Sequence, residues 1–286
     1  MPTPFEPSPG CESPVQTHVI AEEASVEFAR DLACETLYRF LAAALSNPTS
    51  AEWHVLGEKA SQETARASQY LLSQEFDQCD IPLGFGELPL EDLDLRPLLS
   101  ELPVEEDLAV IEHGRVFGLA GTRECSPYET EYHPNEEVFF RSQQMADIAG
   151  FYRAFGLNVS PARHERVDHI ALELEFAAFL LMKKRLARSC QAGSQDGELP
   201  AIVQEARRHF LRDHLSWWAP SFTVAVRRKS GGGFYAAVGA VLAALLPIER
   251  QRLGIVAPKM PLEARSVEPE PHEQASSCEG CALAQG

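Results

Sequence analysis

The chain has 286 residues, of which 45% are hydrophobic and 23% charged, so it is long enough to bury a substantial core. Its 25 Lys and Arg residues stand against 42 Asp and Glu, and the formal net charge is −17. This acidity argues against general binding to nucleic-acid backbones, because such binding places cations on phosphates. It suits a basic partner such as an arginine-bearing peptide, or it only keeps the protein soluble.

The two ends of the chain differ in composition from its body. Residues 1–22 are rich in Pro, Ser and Glu and predict a disordered leader. They contain no basic, apolar pattern of a secretory signal. Residues 258–286 have the same character and predict a disordered tail. We therefore expect one folded domain over residues 23–257.

Between these ends the dominant period is helical. Leu37, Leu41 and Ala44 lie on one stripe of a helix that we expect to begin near Ser25 and to end at Asn47-Pro48. No stretch alternates with the period of a strand. The sequence predicts an all-α domain of about eight or more helices. The other predicted helices cover residues 51–76, a short piece within 81–103, 103–119, 135–156, a segment from 167 past 181, 202–218 and 234–246.

Two further features bear on location. The longest weakly polar run, Phe234–Ile248, is too short to span a bilayer. The seven cysteines are an odd number and are spread along the chain, which favours a reduced compartment over a disulfide framework. We expect a soluble, cytoplasmic protein that does not insert into a membrane.

The segment Ser126-Pro127-Tyr128-Glu129 matches a capping box, with Ser as N-cap, Pro at the first helical position and Glu at the third. It therefore predicts the start of a helix. Tyr128 and Tyr132 are four residues apart and are expected to line one face of that helix.

A second polar cluster contains Asp168 and His169. His169 and Glu173 have the spacing of a surface pair, and Asp168 suits a helix start. A carboxylate can also orient a catalytic imidazole, so a hydrolase or transferase that uses His169 is an alternative. No Ser or Cys nucleophile is evident in the local sequence.

Cys278 and Cys281 have the spacing of a metal or redox pair, but the sequence offers no second such pair to complete a closed zinc site. A protein that handles metals or thiols through these two residues is therefore a second hypothesis. A di-iron bundle requires Glu-x-x-His pairs, and the chain contains none. We expect no cofactor.

Taken together, the polar clusters and the helices around them resemble the TorD/DmsD/NarJ family of molybdoenzyme maturation chaperones. The resemblance in helical layout covers about residues 24–246, and its specific part lies between Phe117 and Met182. Its landmarks, in order, are Val116-Phe117-Gly118, Ser126-Pro127-Tyr128-Glu129-Thr130-Glu131-Tyr132, Met145 to Tyr152, Phe155-Gly156-Leu157, and Glu165 to Phe176.

This resemblance implies an all-helical, non-catalytic protein that binds the twin-arginine signal peptide or N-terminal segment of a molybdoenzyme catalytic subunit. It implies that the subunit is held back from export until its cofactor is inserted. The implied peptide-binding residues are Phe117, Tyr128, Tyr132, Asp168, His169 and Glu173. The chain departs from the family in having Val167, not Pro, before its Asp-His pair, and in its Cys-x-x-Cys tail. The resemblance does not identify the client enzyme. It also does not decide whether the protein forms a homodimer or binds a guanine nucleotide.

Overall fold

The computed structural model describes residues 14–118, 124–134, 138–160, 165–191 and 198–262. Within these ranges the chain is helical and forms no β-strand, which confirms the all-α expectation. Short 3₁₀ turns lie at Val55–Gly57, Leu90–Asp92 and Glu129–Tyr132, and a π turn at Leu211–Leu215. The helices are α1 Pro14–Leu45, α2 Ala51–His54, α3 Lys59–Phe76, α4 Leu95–Ser100, α5 Glu106–Phe117, α6 Val138–Ala154, α7 Ile170–Gln191, α8 Leu199–Phe210, α9 Ser216–Ser230 and α10 Gly233–Arg252.

The helices pack around one hydrophobic core. α1 lies against α7 and α3, and α10 lies against α9 and α4, while α8 packs on α7. The predicted stripe of α1 faces inward, and Leu37 and Leu41 are fully buried. The fully buried Trp218 and Phe222 on α9 and Leu242 on α10 complete the centre of the same core.

Helix boundaries differ from the prediction at two places in the first part of the chain. α1 begins at Pro14, well before Ser25, because proline at the first helical position loses no hydrogen bond. Residues 14–22 of the predicted leader are therefore helical. The helix predicted over residues 51–76 is interrupted at Gly57, and Glu58 is extended with φ −75° and ψ 123°. Glycine has low helix propensity, which favours a break at this point.

The C-terminal half differs in a similar way. The helix predicted over 202–218 continues through a π turn into α9, which contains Pro220. Proline lacks an N–H group and therefore removes one hydrogen bond from the preceding turn of the helix. The π turn just before Pro220 accommodates this loss. The predicted break at glycines 231–233 is present: Gly231 has φ +67° and ends α9.

The folded domain extends past the expected boundary at residue 257. The N–H of Phe85 donates to the carbonyl of Pro258 at 2.7 Å, and the N–H of Leu262 donates to the Ser221 hydroxyl at 3.0 Å. These hydrogen bonds hold residues 258–262 against the helices. The remainder of the predicted tail, like residues 1–13 of the leader, lies outside the described residues.

α10 is longer than the apolar run predicted from sequence. Among the described residues it is the one helix that is long and apolar enough to cross a membrane, with a mean hydropathy of 1.4. Most of it, 83% of the apolar window, is buried inside the protein. A core helix satisfies the same criteria of length and composition, and the burial shows that α10 is one.

A buried ionic network joins the first and last long helices. Glu249 on α10 is fully buried and pairs with Arg207 of α8 and with Arg252, whose Nη1 lies 2.6 Å from Glu249 Oε1. Arg252 also pairs with Asp31 of α1, and Lys184 of α7 lies 3.0 Å from the same carboxylate. Burial opposes ionisation of Glu249, but the two arginines outweigh it and lower its pKa to about 2.

Candidate functional site

Two short segments, 126–132 and 165–169, meet side by side at the surface. Tyr128 and His169 form an isolated antiparallel bridge. The N–H of Glu129 donates to the carbonyl of Asp168 at 3.0 Å, and the N–H of Ile170 donates to the carbonyl of Pro127 at 2.8 Å. The backbone thus joins the two polar clusters that the sequence placed 40 residues apart.

This pairing shows that the predicted capping box is wrong. Tyr128 is extended, with φ −116° and ψ 127°, and only a 3₁₀ turn follows it. The Ser126 hydroxyl accepts from the N–H of Tyr128 at 3.4 Å, whereas the N–H of Glu129 is already bonded to Asp168. A tertiary backbone partner has replaced the local cap that the sequence motif favours.

Asp168 is the centre of the polar contacts between these segments and is fully buried. Its carboxylate accepts two hydrogen bonds from the Arg166 guanidinium, from Nε at 2.9 Å and from Nη2 at 2.6 Å. It also accepts from the Thr130 hydroxyl at 2.8 Å and from the Thr130 N–H at 3.2 Å. Arg166 Nη1 reaches Glu131 at 3.1 Å. The Asp168 carboxylate is therefore saturated by groups of its own chain.

The accessible part of the cluster consists of an arginine and a tyrosine. The guanidinium of Arg166 lies over the ring of Tyr128, with Cζ 4.4 Å from the ring centroid, and its side chain is 33% exposed. The ring of His169 meets the same tyrosine edge-on at 5.3 Å. His169 Nδ1 accepts from the N–H of Ala171 at 3.1 Å and thereby caps the start of α7. A cation–π pair thus forms the surface above Asp168.

A second, deeper cluster lies beneath the 129–132 turn. The Glu129 carboxylate accepts from Trp217 Nε1 at 3.0 Å and contacts His214 Nδ1 at 3.2 Å, and both Glu129 and His214 are 1% exposed. Glu173 accepts from Trp218 Nε1 at 3.1 Å. Burial, and next the neighbouring Glu129 carboxylate, raise the pKa of Glu173 well above its ordinary value. Burial and the neighbouring carboxylate thus favour the protonated form of Glu173.

The six predicted binding residues are only partly brought together. Tyr128, Asp168 and His169 form one cluster, and Glu173 lies under it. The predicted surface pair of His169 and Glu173 is wrong, because both side chains are buried within the fold. Asp168 and Glu173 are fully buried, so either would have to lose its present partners before it could pair with an arginine from outside.

The other two aromatic residues lie elsewhere. Phe117 is in the core, with its ring 5.1 Å from that of Tyr235 and 6.2 Å from that of Phe222. Tyr132 is also buried; its hydroxyl donates to the carbonyl of Ser126 at 3.0 Å and its ring lies 5.2 Å from Trp218. Tyr128 and Tyr132 do not share an exposed face, because the segment between them is a 3₁₀ turn.

An open, mostly apolar groove of about 530 Å³ lies beside the cluster, between α1, α2, α7 and residues 157–160. Its wall on α7 is formed by Leu172, Phe176 and Phe179, at the spacing of one helical face. Tyr152 connects the groove to the polar cluster, because its ring lines the groove and its hydroxyl donates to the carbonyl of Val167 at 3.0 Å. Glu52, Glu175 and Arg39 lie at its edges.

Sequence reasoning missed the residues that hold this site together. Arg166 and Thr130 lie within the motifs that carry the family resemblance, but no role was predicted for them, because Arg166 contacts Glu131 and Thr130 contacts Asp168 in the opposite segment. His214 contacts Glu129, which lies 85 residues away, and nothing in its local sequence marks it. The groove residues Phe176 and Phe179 had only a weak indication in the sequence. α7 is apolar on more than one face, whereas a helix needs only one apolar face to pack against a core.

The second hypothesis from the sequence was a protein that handles metals or thiols through Cys278 and Cys281. In the described part of the chain, no group of three His, Cys, Asp or Glu side chains could hold a metal ion. Cys278 and Cys281 lie outside the described residues.

Comparison with known proteins gives a consistent result. A family model described as nitrate reductase delta subunit matches residues 93–224. The chain is 31% identical to the selenate reductase assembly chaperone protein of Thauera selenatis over 57% of this chain and 77% of the relative. It is 31% identical to the chlorate reductase assembly chaperone protein of Ideonella dechloratans over 55% and 74%. The chaperone protein TorD of Aeromonas salmonicida is 25% identical over 64% and 83%.

Proposed function

The chain belongs to the TorD/NarJ family of molybdoenzyme maturation chaperones, and we propose that it serves the catalytic subunit of one molybdopterin oxidoreductase. It is a chaperone and not an enzyme. Its relatives are named for the assembly of selenate, chlorate and perchlorate reductases, which supports a reductase of this kind as client.

The client segment that we propose is the twin-arginine signal peptide, or the equivalent N-terminal segment, bound in the cytoplasm before export. Binding would hold the subunit back while its cofactor is inserted. The observation that carries this proposal is an open apolar groove that Tyr152 connects to the aromatic and charged cluster, through its hydrogen bond to Val167. A signal peptide has the matching sequence, with basic residues followed by an apolar stretch.

In this arrangement the apolar stretch of the peptide packs in the groove against the partly exposed Phe179, and its arginines meet carboxylates around the polar cluster. Asp147 is 66% exposed and lies 3.7 Å from His214, whereas Glu131 is 14% exposed and already pairs with Arg166 and Arg141. The net charge of −17 adds a favourable long-range field for a basic peptide. Asp168 and His169 act as positioning residues, since they hold Arg166, Thr130 and the start of α7 in place.

The first test is co-purification of the tagged full-length protein from its native cytoplasm, with mass spectrometry of bound proteins. We expect one molybdoenzyme catalytic subunit. The Asp168→Ala/His169→Ala variant should recover much less of it while retaining its helical circular dichroism. Asp213→Ala serves as the control, because Asp213 pairs with the exposed Arg212 away from the groove. Equal recovery by the double variant, or no molybdoenzyme with the wild type, would contradict the proposal.

A further inference from the structure

An apolar stripe that faces solvent lies at the start of α5, with Leu108 and Ile111 on the helix and Val104 two residues before its first residue, Glu106. Val104, Leu108 and Ile111 recur at intervals of four and three residues, which the sequence would place on the core side of a helix. In the structure they are 98%, 55% and 68% exposed. Single exposed apolar side chains are normal, but two on one face of α5 and a third just before the helix form a patch that no part of the described chain covers.

α5 is held in place by its other end. Val116 and Phe117 are buried in the core, and the ring of His113 lies 4.9 Å from that of Phe117. Arg115 donates to the carbonyl of Ser230 at 3.3 Å. Because the C-terminal turns of α5 are anchored in this way, the start of the helix is held in place with Leu108 and Ile111 facing solvent.

The charged side chains around the stripe are mostly carboxylates, although His54 Nε2 lies 3.9 Å from Glu106 and Arg115 lies 3.8 Å from Glu112. Glu101, Glu105, Glu106 and Asp107 are exposed beside it. Burial raises the pKa of Glu112; the Arg115 guanidinium lowers it, and the negative charge of Glu101 raises it further. The one arginine of this helix, Arg115, is bonded to the α9 carbonyl described above.

We propose that this stripe is a docking surface for a basic amphipathic helix of a partner protein, which would lay its apolar side chains on Val104, Leu108 and Ile111 and its cations against the flanking carboxylates. A second copy of this chain fits poorly, because a two-fold contact would place two acidic rims against each other. Anionic lipid would be repelled for the same reason. The proposal is independent of the signal-peptide site, since none of these residues lines the groove.

The test uses the full-length protein and a fluorescein-labelled Leu/Lys peptide of about 18 residues, roughly five helical turns, with its leucines on one face. Binding is followed by fluorescence anisotropy. A peptide of the same composition without an apolar face should bind at least about tenfold more weakly, and so should one with Glu in place of Lys. Wild-type affinity should fall as salt concentration rises.

Variants of the protein place the contact. Leu108→Ser/Ile111→Ser should weaken peptide binding by about tenfold or more, and Glu101→Gln/Glu105→Gln should reduce both affinity and its salt dependence. The matched control is Leu199→Ser/Ile202→Ser, because these aliphatic residues are 53% and 57% exposed and are also three apart on a helix. It should bind as the wild type does.

Several results would overturn the proposal. Equal binding by all protein variants would place the contact elsewhere. Displacement of the probe by the client's leader peptide would make the stripe part of the signal-peptide site. Sedimentation velocity showing a wild-type dimer that Leu108→Ser/Ile111→Ser dissolves would assign the stripe to a second copy. Cosedimentation with phosphatidylglycerol vesicles that depends on the stripe would assign it to lipid.

Discussion

Arg166 holds the carboxylate of Asp168 through two hydrogen bonds, Nε to Oδ1 at 2.9 Å and Nη2 to Oδ2 at 2.6 Å. The same guanidinium covers the ring of Tyr128. One side chain thus joins the buried carboxylate to the accessible aromatic residue. A substitution at Asp168 therefore reaches the surface through Arg166, although Asp168 itself touches no solvent.

Asp168→Ala is expected to destabilise the protein by about 2–3 kcal/mol, because it leaves Arg166 and Thr130 without their shared buried acceptor. Urea denaturation followed by circular dichroism measures this change in the free energy of unfolding. Asp213→Ala removes a comparable pair at an exposed position and should leave the transition midpoint nearly unchanged. Equal midpoints for the two variants would show that the Asp168 contacts add nothing to stability.

Substitutions at Phe117 and at Tyr128 should have different effects, the first on the free energy of unfolding and the second on peptide affinity. Phe117→Ala leaves a cavity in the core and is expected to cost about 3–4 kcal/mol, with no change in peptide affinity under conditions where the variant is folded. Tyr128→Ala removes a half-buried ring and should weaken binding of the client's leader peptide about tenfold, or about 1.4 kcal/mol. Isothermal titration with the leader of the co-purified client makes the comparison. Tyr70→Ala, 65% exposed on α3, is the control for loss of a surface tyrosine. A loss of affinity in Phe117→Ala but not in Tyr128→Ala would reverse the assignment.

Glu173→Gln should be at least as stable as the wild type at pH 7. The pKa of Glu173 is raised in the folded state, so the unfolded chain releases this proton at lower pH than the folded protein does. The favourable contribution of protonated Glu173 is thus lost as pH rises above its unfolded value near 4.5. Glutamine stays neutral in both states and still accepts from Trp218, so its stability should decline less between pH 5 and 8. Glu173→Ala, which lacks that acceptor, should be less stable at every pH. A steeper decline in the glutamine variant would refute the raised pKa.

His113 should make the protein sensitive to acid. Burial lowers the pKa of His113 from 6.5 to about 4, so the unfolded chain takes up a proton in this interval before the folded protein does. The free energy of unfolding should then fall as pH decreases through this window, by at most about 3 kcal/mol. His113→Phe keeps an aromatic contact with Phe117 and should remove this component. His54→Phe, at an exposed histidine, should retain the wild-type slope between pH 6.5 and 4. Identical slopes for His113→Phe and the wild type would exclude His113 as its source.

The helices were predictable because their signals are local. Leu37 and Leu41 repeat with the helical period, and Gly231 supplies the positive φ that ends α9. Boundaries were less accurate where a single residue such as Gly57 or Pro220 divided or distorted a longer apolar pattern. The family was recognisable because its polar clusters keep their order and spacing along the chain.

The site was only partly predictable, because a polar residue can bond either to its sequence neighbours or to a distant segment, and the local sequence does not show which. Glu129 has the position of a capping-box residue, but its carboxylate is used by His214 and Trp217. Val104, Leu108 and Ile111 have the period of a core stripe but face solvent, because α5 is anchored through Phe117 at its other end.

The sequence by itself determined that this chain is all-α, acidic and a member of a chaperone family, since helical periodicity, charge and motif order are properties of neighbouring residues. Only the tertiary structure decided which polar residues are accessible. Asp168, Glu173 and Tyr132 are buried, while Tyr128 and Arg166 face the surface. The physical reason is that burial and hydrogen-bond partnership depend on which distant segments meet, and helical periodicity does not encode the contact between residues 128 and 169.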